Sequence, residues 1–488
     1  MTDLADILRE IAGRPAVEEL AARLAGRRSA RLHVAPVIGA ARVPLTAALA
    51  MLLRRPLLYV VHSGDAALRA HDDMAQWLGP ERVLLFPAAD ALPYEHMSPG
   101  PDVLAARLRV LRRLRAEGVP AGYAEERPLQ EDDGAVDAES SAFSLQPSAF
   151  VIVAPVKALT QPTLTPAELA HATVRLRRGE EISPDALVAR LITLGYRPAP
   201  TVEEPGELNR RGGILDVFPP GDELPLRIEF FGDEVDSLRR FDPVTQRSEA
   251  QAREVTVGPP HEFPLWRRAE ALARIRALDV SGLRREARDE WEAAVARLEQ
   301  GERFEGRALF APFFYDTTND QRPTTNDSVE ERSSFVVRRS SLLQHLPPGA
   351  LVALNDATIL EQHVADLDQQ AEERRALHVE AGELPRSFPR PYLRWDELLA
   401  QAGQLALVNL TNNERPADGR SWERYALPEP LFRPAELFGG QLRRMVEDVV
   451  QRLATGERVA VVTAQAARID ELVQEALRTG DRRPATGG

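Results

Sequence analysis

Cysteine is absent from the sequence, and lysine occurs only once, at Lys157. Without cysteine the chain can form no disulfide, no thiolate zinc site and no thiol nucleophile. The nine histidines are scattered and form no pair at helical ligand spacing beside a carboxylate, so we expect no metal site. Because lysine is almost missing, nearly all of the positive charge is carried by arginine.

Long apolar runs are also missing, since no stretch reaches the ~18 unbroken apolar residues that a membrane span requires. The first residues include Asp3 and Asp6, where a secretory signal would carry basic residues. The net charge of -13 disfavours broad coating of nucleic acid, because phosphate binding needs a concentrated basic surface. We therefore expect a cytoplasmic protein without a membrane partner.

The composition that remains is that of an ordinary globular protein, with 44% hydrophobic and 28% charged residues. A length of 488 residues suits about three or four domains at roughly 100–200 residues each. The pattern changes along the chain, and we predict four segments, with boundaries at 1–162, 163–262, 263–385 and 386–488.

Two polar stretches interrupt these segments. Residues 117–148 are rich in glycine, proline, serine and acidic residues, and residues 315–334 repeat the sequence Thr-Thr-Asn-Asp. Neither stretch has enough apolar surface to offset the entropy lost on ordering. We predict a flexible insertion at 117–148 and a disordered insertion at 315–334.

The first segment alternates short apolar runs with amphipathic stretches, a pattern typical of strands buried on both faces and covered by helices. Strands are predicted at 57–61, 82–86 and 150–154. Ser63 is a typical cap for the helix between the first two strands, and Gly79 is a typical stop. The predicted fold class is α/β, with a parallel sheet.

The second segment has closely spaced strand patterns at 213–218, 226–231 and 235–241, separated by turns of glycine, proline and acidic residues. Ser183 begins a helix ahead of them. These features predict a small antiparallel α+β domain inserted into the α/β domain. After a long helical stretch at 266–302, apolar strand patterns return, and the last segment predicts a further small α/β domain.

One turn could have bound a nucleotide phosphate. Such loops follow the pattern G-x-x-x-x-G-K-[ST], in which the lysine reaches the β and γ phosphates. The candidate, Val37 to Thr46, carries Arg42-Val43-Pro44 where glycine and lysine are expected, and Lys157 lies beyond an unrelated strand. We therefore interpret it as an ordinary strand-to-helix turn, and expect no bound cofactor and no ATP hydrolysis.

Longer motifs carry a resemblance to a known family. They are Ala-Leu-Pro-Tyr-Glu at 91–95, Val-Ile-Val-Ala-Pro-Val at 151–156, Arg-Gly-Gly-Ile-Leu-Asp-Val-Phe-Pro at 211–219, Arg-Ile-Glu-Phe-Phe-Gly-Asp-Glu-Val-Asp-Ser-Leu-Arg at 227–239 and His-Glu-Phe-Pro at 261–264. Together they resemble the amino-terminal part of the bacterial transcription-repair coupling factors (Mfd), and those between 150 and 265 resemble a domain shared with UvrB.

The resemblance implies a degenerate RecA-like, helicase-like domain of the UvrB type, whose inserted domain binds the damage-recognition ATPase UvrA. It implies a chain that recruits UvrA to stalled transcription complexes in nucleotide excision repair and regulates the motor of the intact protein. In intact relatives, other domains bind RNA polymerase and double-stranded DNA, and ATP with magnesium drives a translocase. Those domains have no counterpart in this sequence, so the resemblance implies a chain that is not itself an enzyme.

The same resemblance implies the site residues. Arg197 and Arg211 match the UvrA-contacting arginines of the family, and we add Arg210 and Phe218 as neighbours. A guanidinium can hold a carboxylate bidentately, and interfaces concentrate their energy in arginine and aromatic anchors.

Other interpretations stay open. Arg211 could simply brace its own turn through a salt bridge to Glu203 or Glu207. The chain could be a UvrB-like ATPase, against which the missing lysine argues, or a DNA-binding scaffold, against which the acidic charge argues. Tyr94 and Trp77 could stack a base, although isolated aromatic residues beside helices usually serve packing. The acidic run at 233–236 is interpreted as a solvated turn.

Overall fold

The structure is a computed structural model. It describes residues 4–25, 29–95, 99–117, 150–315, 317–318, 336–337, 339–414, 422–427, 432, 438–457, 459, 461 and 466–480. The predicted insertion at 117–148 lies outside these residues except for residue 117, and only residues 315, 317 and 318 of the second insertion are described. The chain divides into two compact units, one of residues 8–427 and one of residues 1–7 with 428–488.

The described strands are, in chain order, β1 Arg31–Ala35, β2 Leu57–Val61, β3 Val83–Leu85, β4 Val151–Pro155, β5 Val174–Arg177, β6 Arg197–Pro198, β7 Glu207–Arg211, β8 Ile214–Val217, β9 Leu226–Phe231, β10 Glu234–Phe241, β11 Ser248–Ala252, β12 Glu254–Val257, β13 Thr317–Thr318, β14 Val336–Val337, β15 Leu351–Asn355, β16 Ala406–Leu410 and β17 Glu423–Ala426.

The described α-helices are α1 Leu4–Ala12, α2 Pro15–Ala25, α3 Gly39–Leu53, α4 Gly64–Leu78, α5 Pro101–Glu117, α6 Val156–Thr160, α7 Pro166–His171, α8 Pro184–Leu194, α9 Arg268–Arg276, α10 Arg285–Gln300, α11 Ala357–Glu380, α12 Trp395–Gln401, α13 Leu442–Ala454 and α14 Ala466–Gly480. Short 3-10 helices occur at Pro80–Arg82, Leu265–Arg267, Arg307–Phe313, Leu342–His345 and Ala402–Gln404.

The larger unit is built on a seven-stranded sheet with the order β17-β1-β16-β15-β2-β4-β3. Every neighbouring pair in it is parallel. All residues of β2, β4 and β16 are buried, as expected for strands covered on both faces. The prediction of an α/β fold with a parallel sheet is therefore confirmed, and β2 has the predicted bounds.

The structure differs from the sequence analysis in where β16 belongs. The predicted boundary at 386 assigns this strand to a separate domain, yet β16 lies between β1 and β15 in the main sheet. The physical reason is that a short buried strand carries no local signal of which distant strand it will pair with. Of the last predicted segment, only the part after residue 427 belongs to the smaller unit.

The inserted domain holds a six-stranded sheet with the order β11-β10-β9-β8-β7-β6, in which only the pair of β6 and β7 is parallel. The Ser183 hydroxyl accepts a hydrogen bond from the Ala186 amide and so caps α8, as predicted. Apolar residues of α8 form one core with alternate residues of the sheet, among them Leu191, Leu215 and Ile228. The opposite face of the sheet does not take part in this core.

The predicted long helix at 266–302 is interrupted. The chain forms α9 and α10, with a turn between them in which the Asp279 carboxylate accepts from the Ser281 amide. Aromatic residues after α10 pack together with Tyr94, which is only 4% exposed and lies 6.1 Å from Phe388 between ring centroids. Tyr94 therefore has a packing role, and its ring is not free to stack on a base from solvent.

The smaller unit contains α13 and α14, which share a small apolar core that includes Val449 and Val473. The apolar run Val-Ala-Val-Val at 459–462 predicts a strand, but residues 460 and 462 lie outside the described residues, and 459 and 461 are not in a strand. Among the described helices, none is long and apolar enough to span a bilayer.

Burial of His345 makes the stability of the larger unit depend on pH. Its Nε2 lies 2.7 Å from the Leu164 carbonyl oxygen, and burial lowers its pKa from 6.5 to about 4. The unfolded histidine takes up a proton near pH 6.5 while the folded one stays neutral. The stabilising effect is therefore complete above pH 6.5 and is lost as the pH falls towards 4.

We expect His345 to lower the free energy of unfolding by up to ~1.4 kcal/mol for each unit by which the pH falls below the pKa of the unfolded histidine. In His345→Gln, whose amide can still donate to Leu164, this part of the slope should disappear. Urea unfolding of both proteins between about pH 7 and pH 5 tests the expectation. Equal slopes in the two proteins would contradict it.

Candidate functional site

The turn after β1 has the place of a phosphate loop but not its chemistry. If the phosphate-loop pattern is aligned on Gly39, the first residue of α3, then Pro44, Leu45 and Thr46 take the glycine, lysine and hydroxyl positions. Leu45 is fully buried. Thr46 is also fully buried, and its hydroxyl donates to the Arg42 carbonyl oxygen at 2.6 Å. The hydroxyl that would bind a metal ion is thus used inside the helix.

Arg42, the cation of this turn, is engaged within the protein. Its guanidinium donates to the Asn355 side-chain oxygen, and its Nη2 lies 3.8 Å from Asp356 Oδ2. The same carboxylate oxygen accepts from the Thr411 hydroxyl at 2.6 Å. These side chains follow β1, β15 and β16 at the carboxyl edge of the sheet. Arg42 therefore ties neighbouring strands together at the position where a nucleotide would need a free cation.

Lys157 cannot replace the missing lysine. It lies in α6 directly after β4, and β16, β15 and β2 separate β4 from β1. Four strand spacings place the lysine roughly 19 Å from the turn. Its Nζ donates to the Asp90 carbonyl oxygen at 3.0 Å, and burial lowers the pKa of its ammonium group.

The exposed face of the inserted sheet is organised around one buried ion pair. Asp216 in β8 and Arg227 in β9 are direct cross-strand partners, and two hydrogen bonds of 2.7 Å and 2.8 Å join them. Asp216 is 1% exposed, and the Arg227 guanidinium lies 4.4 Å over the Phe241 ring. Its hydrogen bond with Asp216 raises the pKa of Arg227. This pair holds the centre of the face in one geometry.

Arg197 lies at the edge of this face, on β6. Its Nη2 donates to Glu207 at 2.6 Å, and half of its side chain remains exposed. Burial alone would raise the pKa of Glu207, but the Glu203 and Glu204 amides and the Arg197 guanidinium hold it below its usual value. Glu207 is therefore a charged brace that positions Arg197.

Arg211 and Arg210 point to opposite faces. Arg211 pairs with Ile214 on the exposed face; its side chain is 58% exposed, and its Nη2 lies 3.5 Å from Asp216 Oδ2. Arg210 is directed to the side of the core residue Leu215 and forms an ion pair with Asp185 at the start of α8. The alternative that Arg211 is bound by Glu203 or Glu207 is not what the structure shows, since its partner is Asp216.

Phe218 needs a correction, because it is not available as an interface anchor. It is 7% exposed and packs in a small core with Val202 and Phe241. The exposed aromatic ring of this domain is Phe231, which is 83% exposed at the end of β9. Phe231 shares a face with Arg227 because strand residues two apart point the same way. The signal in the sequence was its place beside the Gly232 turn, at the end of a predicted strand.

These features define the class of the larger unit. A RecA-like parallel sheet, with Leu45 at the lysine position of the phosphate-loop pattern, carries an inserted antiparallel domain, and residues 174–263 match the family model described as the UvrB interaction domain. The chain is also 25% identical over 335 residues to the UvrABC system protein B of Micrococcus luteus, a match that covers 65% of this chain and 45% of that protein. The unit is therefore UvrB-like.

More particularly, the chain is similar to transcription-repair-coupling factors. It is 29% identical over 342 residues to that of Bacillus subtilis (strain 168), which covers 70% of this chain and 25% of the relative. It is 26% identical over 446 residues to that of Escherichia coli (strain K12), which covers 89% of this chain and 34% of the relative. The resemblance that the motifs indicate is confirmed, and the chain spans only a quarter to a third of the length of these relatives.

We expect the purified chain to release no phosphate from ATP above a buffer control, because Leu45 occupies the lysine position and Arg42 is held by Asp356. A colorimetric phosphate assay measures this, with ATP and magnesium in excess. Phosphate release that stays with the chain through two different purification steps would contradict the expectation.

The variant Asp216→Ala should destabilise the inserted sheet by about 3 kcal/mol, because it leaves the Arg227 guanidinium without its buried partner. Hydrogen exchange of the β8 and β9 amides measures the effect locally. Asp236→Ala, which removes an exposed carboxylate from β10, is the matched control and should change stability by less than about 0.5 kcal/mol. Similar exchange in the two variants would show that the ion pair does not hold the face.

Proposed function

We propose that the inserted domain is a docking surface for UvrA, and that the chain thereby recruits UvrA to stalled transcription complexes in nucleotide excision repair. The observation that carries this proposal is the match of residues 174–263 to the UvrB interaction domain. The similarity to transcription-repair-coupling factors over up to 89% of this chain supports the link to transcription.

The exposed face of the inserted sheet has the chemistry of such a surface. Arg197 and Arg211 keep about half of their side chains in solvent, and Ile214 and Phe231 add apolar area beside them. Guanidinium groups recognise carboxylates with directed hydrogen bonds, and aromatic rings give contact area at little entropic cost. We infer a partner surface that is acidic with an apolar centre.

The arginines of this face are held ready for binding. Glu207 positions Arg197, and the pair of Asp216 and Arg227 keeps β8 and β9 in register beneath Arg211. A side chain that is already ordered loses less entropy when its partner arrives. Arg210 contributes less in this proposal, because it is directed to the other face and is bound to Asp185.

The activities of intact relatives belong, in this proposal, to parts of those proteins beyond the matched length. ATP-driven translocation with magnesium and the binding of RNA polymerase and double-stranded DNA are assigned there, and this chain needs no cofactor of its own. In the intact protein we expect the chain to regulate the motor. Arg42 is bound to Asn355 and Asp356 in the turn after β1, which supports a role in partner binding, and not in nucleotide binding, for the UvrB-like unit.

Capture of UvrA by the immobilised chain tests the proposal. Arg197→Ala and Arg211→Ala should each weaken capture by about tenfold, because each removes a charge-assisted contact of the order of 1.4 kcal/mol. Arg253→Ala is the matched control: it is an exposed arginine of the same domain that follows β11, at the edge of the sheet opposite β6. Its capture of UvrA should match that of the parent chain.

Equal capture by the parent chain and both arginine variants would remove Arg197 and Arg211 from the site. Capture that is absent for every protein, under conditions where the UvrB protein binds UvrA, would refute the proposed function itself.

A further inference from the structure

The larger unit contains a large cavity that is separate from the proposed docking surface, except that Arg197 also contributes to its lining. It encloses about 600 Å³ and is lined mainly by residues within 89–107, 157–162, 195–206 and 260–315. This volume lies in the range of small-molecule binding sites, which are mostly apolar with a few placed polar groups. The lining follows that description, since it includes Leu92, Phe304, Leu309 and several prolines.

The two carboxylates that line the cavity are already neutralised. Glu262 accepts from the Arg107 Nε at 2.7 Å, and Arg107 itself is only 2% exposed. Glu95 lies 2.9 Å from Arg374. Each carboxylate therefore already has an arginine partner, while the second Glu262 oxygen, Oε1, is buried without a hydrogen-bond partner among the described residues.

Several cations of the lining have no such counter-charge. Arg307 is 8% exposed, and its hydrogen-bond partner is the neutral ring of His261, whose Nε2 lies 3.1 Å from Arg307 Nη2. Arg303 and Arg268 also line the cavity, and among the described residues neither forms an ion pair. A buried guanidinium without an anion is costly, so this end of the cavity favours a negatively charged ligand.

The pKa shifts of His261 and Arg307 agree with an excess of positive charge at this end of the cavity. Burial, together with Arg307 and Arg303, holds the pKa of His261 well below its usual value, so the imidazole is neutral and accepts from Arg307. Burial lowers the pKa of Arg307 to about 10, which leaves the guanidinium charged at neutral pH.

One further feature of the lining concerns Arg268. Gly301 has a φ of 78°, and a Cβ at this position would lie 2.2 Å from Arg268 Nη1. The glycine thus leaves room for Arg268 to approach the same end of the cavity.

We propose that this cavity binds a small organic phosphate, whose phosphate group is held by Arg303 and Arg307 and whose apolar body lies against the apolar lining. Phosphate is favoured because the guanidinium groups of Arg268, Arg303 and Arg307 line one region, which suits a dianion with several acceptor oxygens. An organic body is favoured because the cavity is far larger than a phosphate ion and most of its wall is apolar.

Isothermal titration of the whole chain with naphthyl phosphate, naphthol and inorganic phosphate tests this inference. We expect naphthyl phosphate to bind at least about tenfold more tightly than either of the others, because only it satisfies both the cations and the apolar wall. Binding of naphthol that equals that of naphthyl phosphate would exclude the anion site. Equal binding of inorganic phosphate would exclude the organic body.

Variants place the binding in the cavity. Arg303→Gln and Arg268→Gln change exposed residues and should each weaken binding of naphthyl phosphate by about tenfold. Arg307→Gln should weaken it more, and thermal unfolding shows whether that buried change alters the fold. Arg285→Gln, which changes an exposed arginine of α10 outside the lining, should bind as the parent chain does.

Unchanged binding in both Arg303→Gln and Arg268→Gln, or no binding by the parent chain, would overturn the proposal. The outcome is independent of UvrA capture.

Discussion

Parallel strand pairing is the constraint on which the rest of the structure depends. Parallel neighbours cannot be joined by a tight hairpin, so each pair needs a crossover long enough to return to the same end of the sheet. The crossover from β4 to β15 carries the whole inserted domain together with α9 and α10. Both ends of this excursion are anchored in one sheet, at β4 and β15.

At the carboxyl edge of the sheet, where a phosphate loop would bind a nucleotide, side chains of this chain bind one another. Arg42 and Thr411 both contact Asp356 Oδ2 at the position where a phosphate would need a free cation. The cation that remains there stabilises the junction of three strands and is not presented to a ligand. This agrees with our proposal that the unit acts through its surfaces.

Arginine has three physical roles in this chain. Arg107 is buried and Arg227 is partly buried in ion pairs that stabilise the fold, Arg211 is exposed beside a carboxylate that Arg227 already satisfies, and Arg307 is buried beside a neutral imidazole. Its planar group can donate several hydrogen bonds in fixed directions, which suits each of these settings better than the single ammonium group of lysine.

The sequence by itself determined the local elements and the resemblance to transcription-repair coupling factors. The bounds of β2 and β9, the Ser183 cap and the missing phosphate-loop lysine could be predicted because each depends on a short stretch of chain. Only the tertiary structure decided that Phe218 is buried, that Asp216 holds Arg227, that β16 joins the main sheet and that unpaired arginines meet at one cavity. These depend on contacts between distant segments, and a local pattern of apolar and charged residues does not specify which segments will meet.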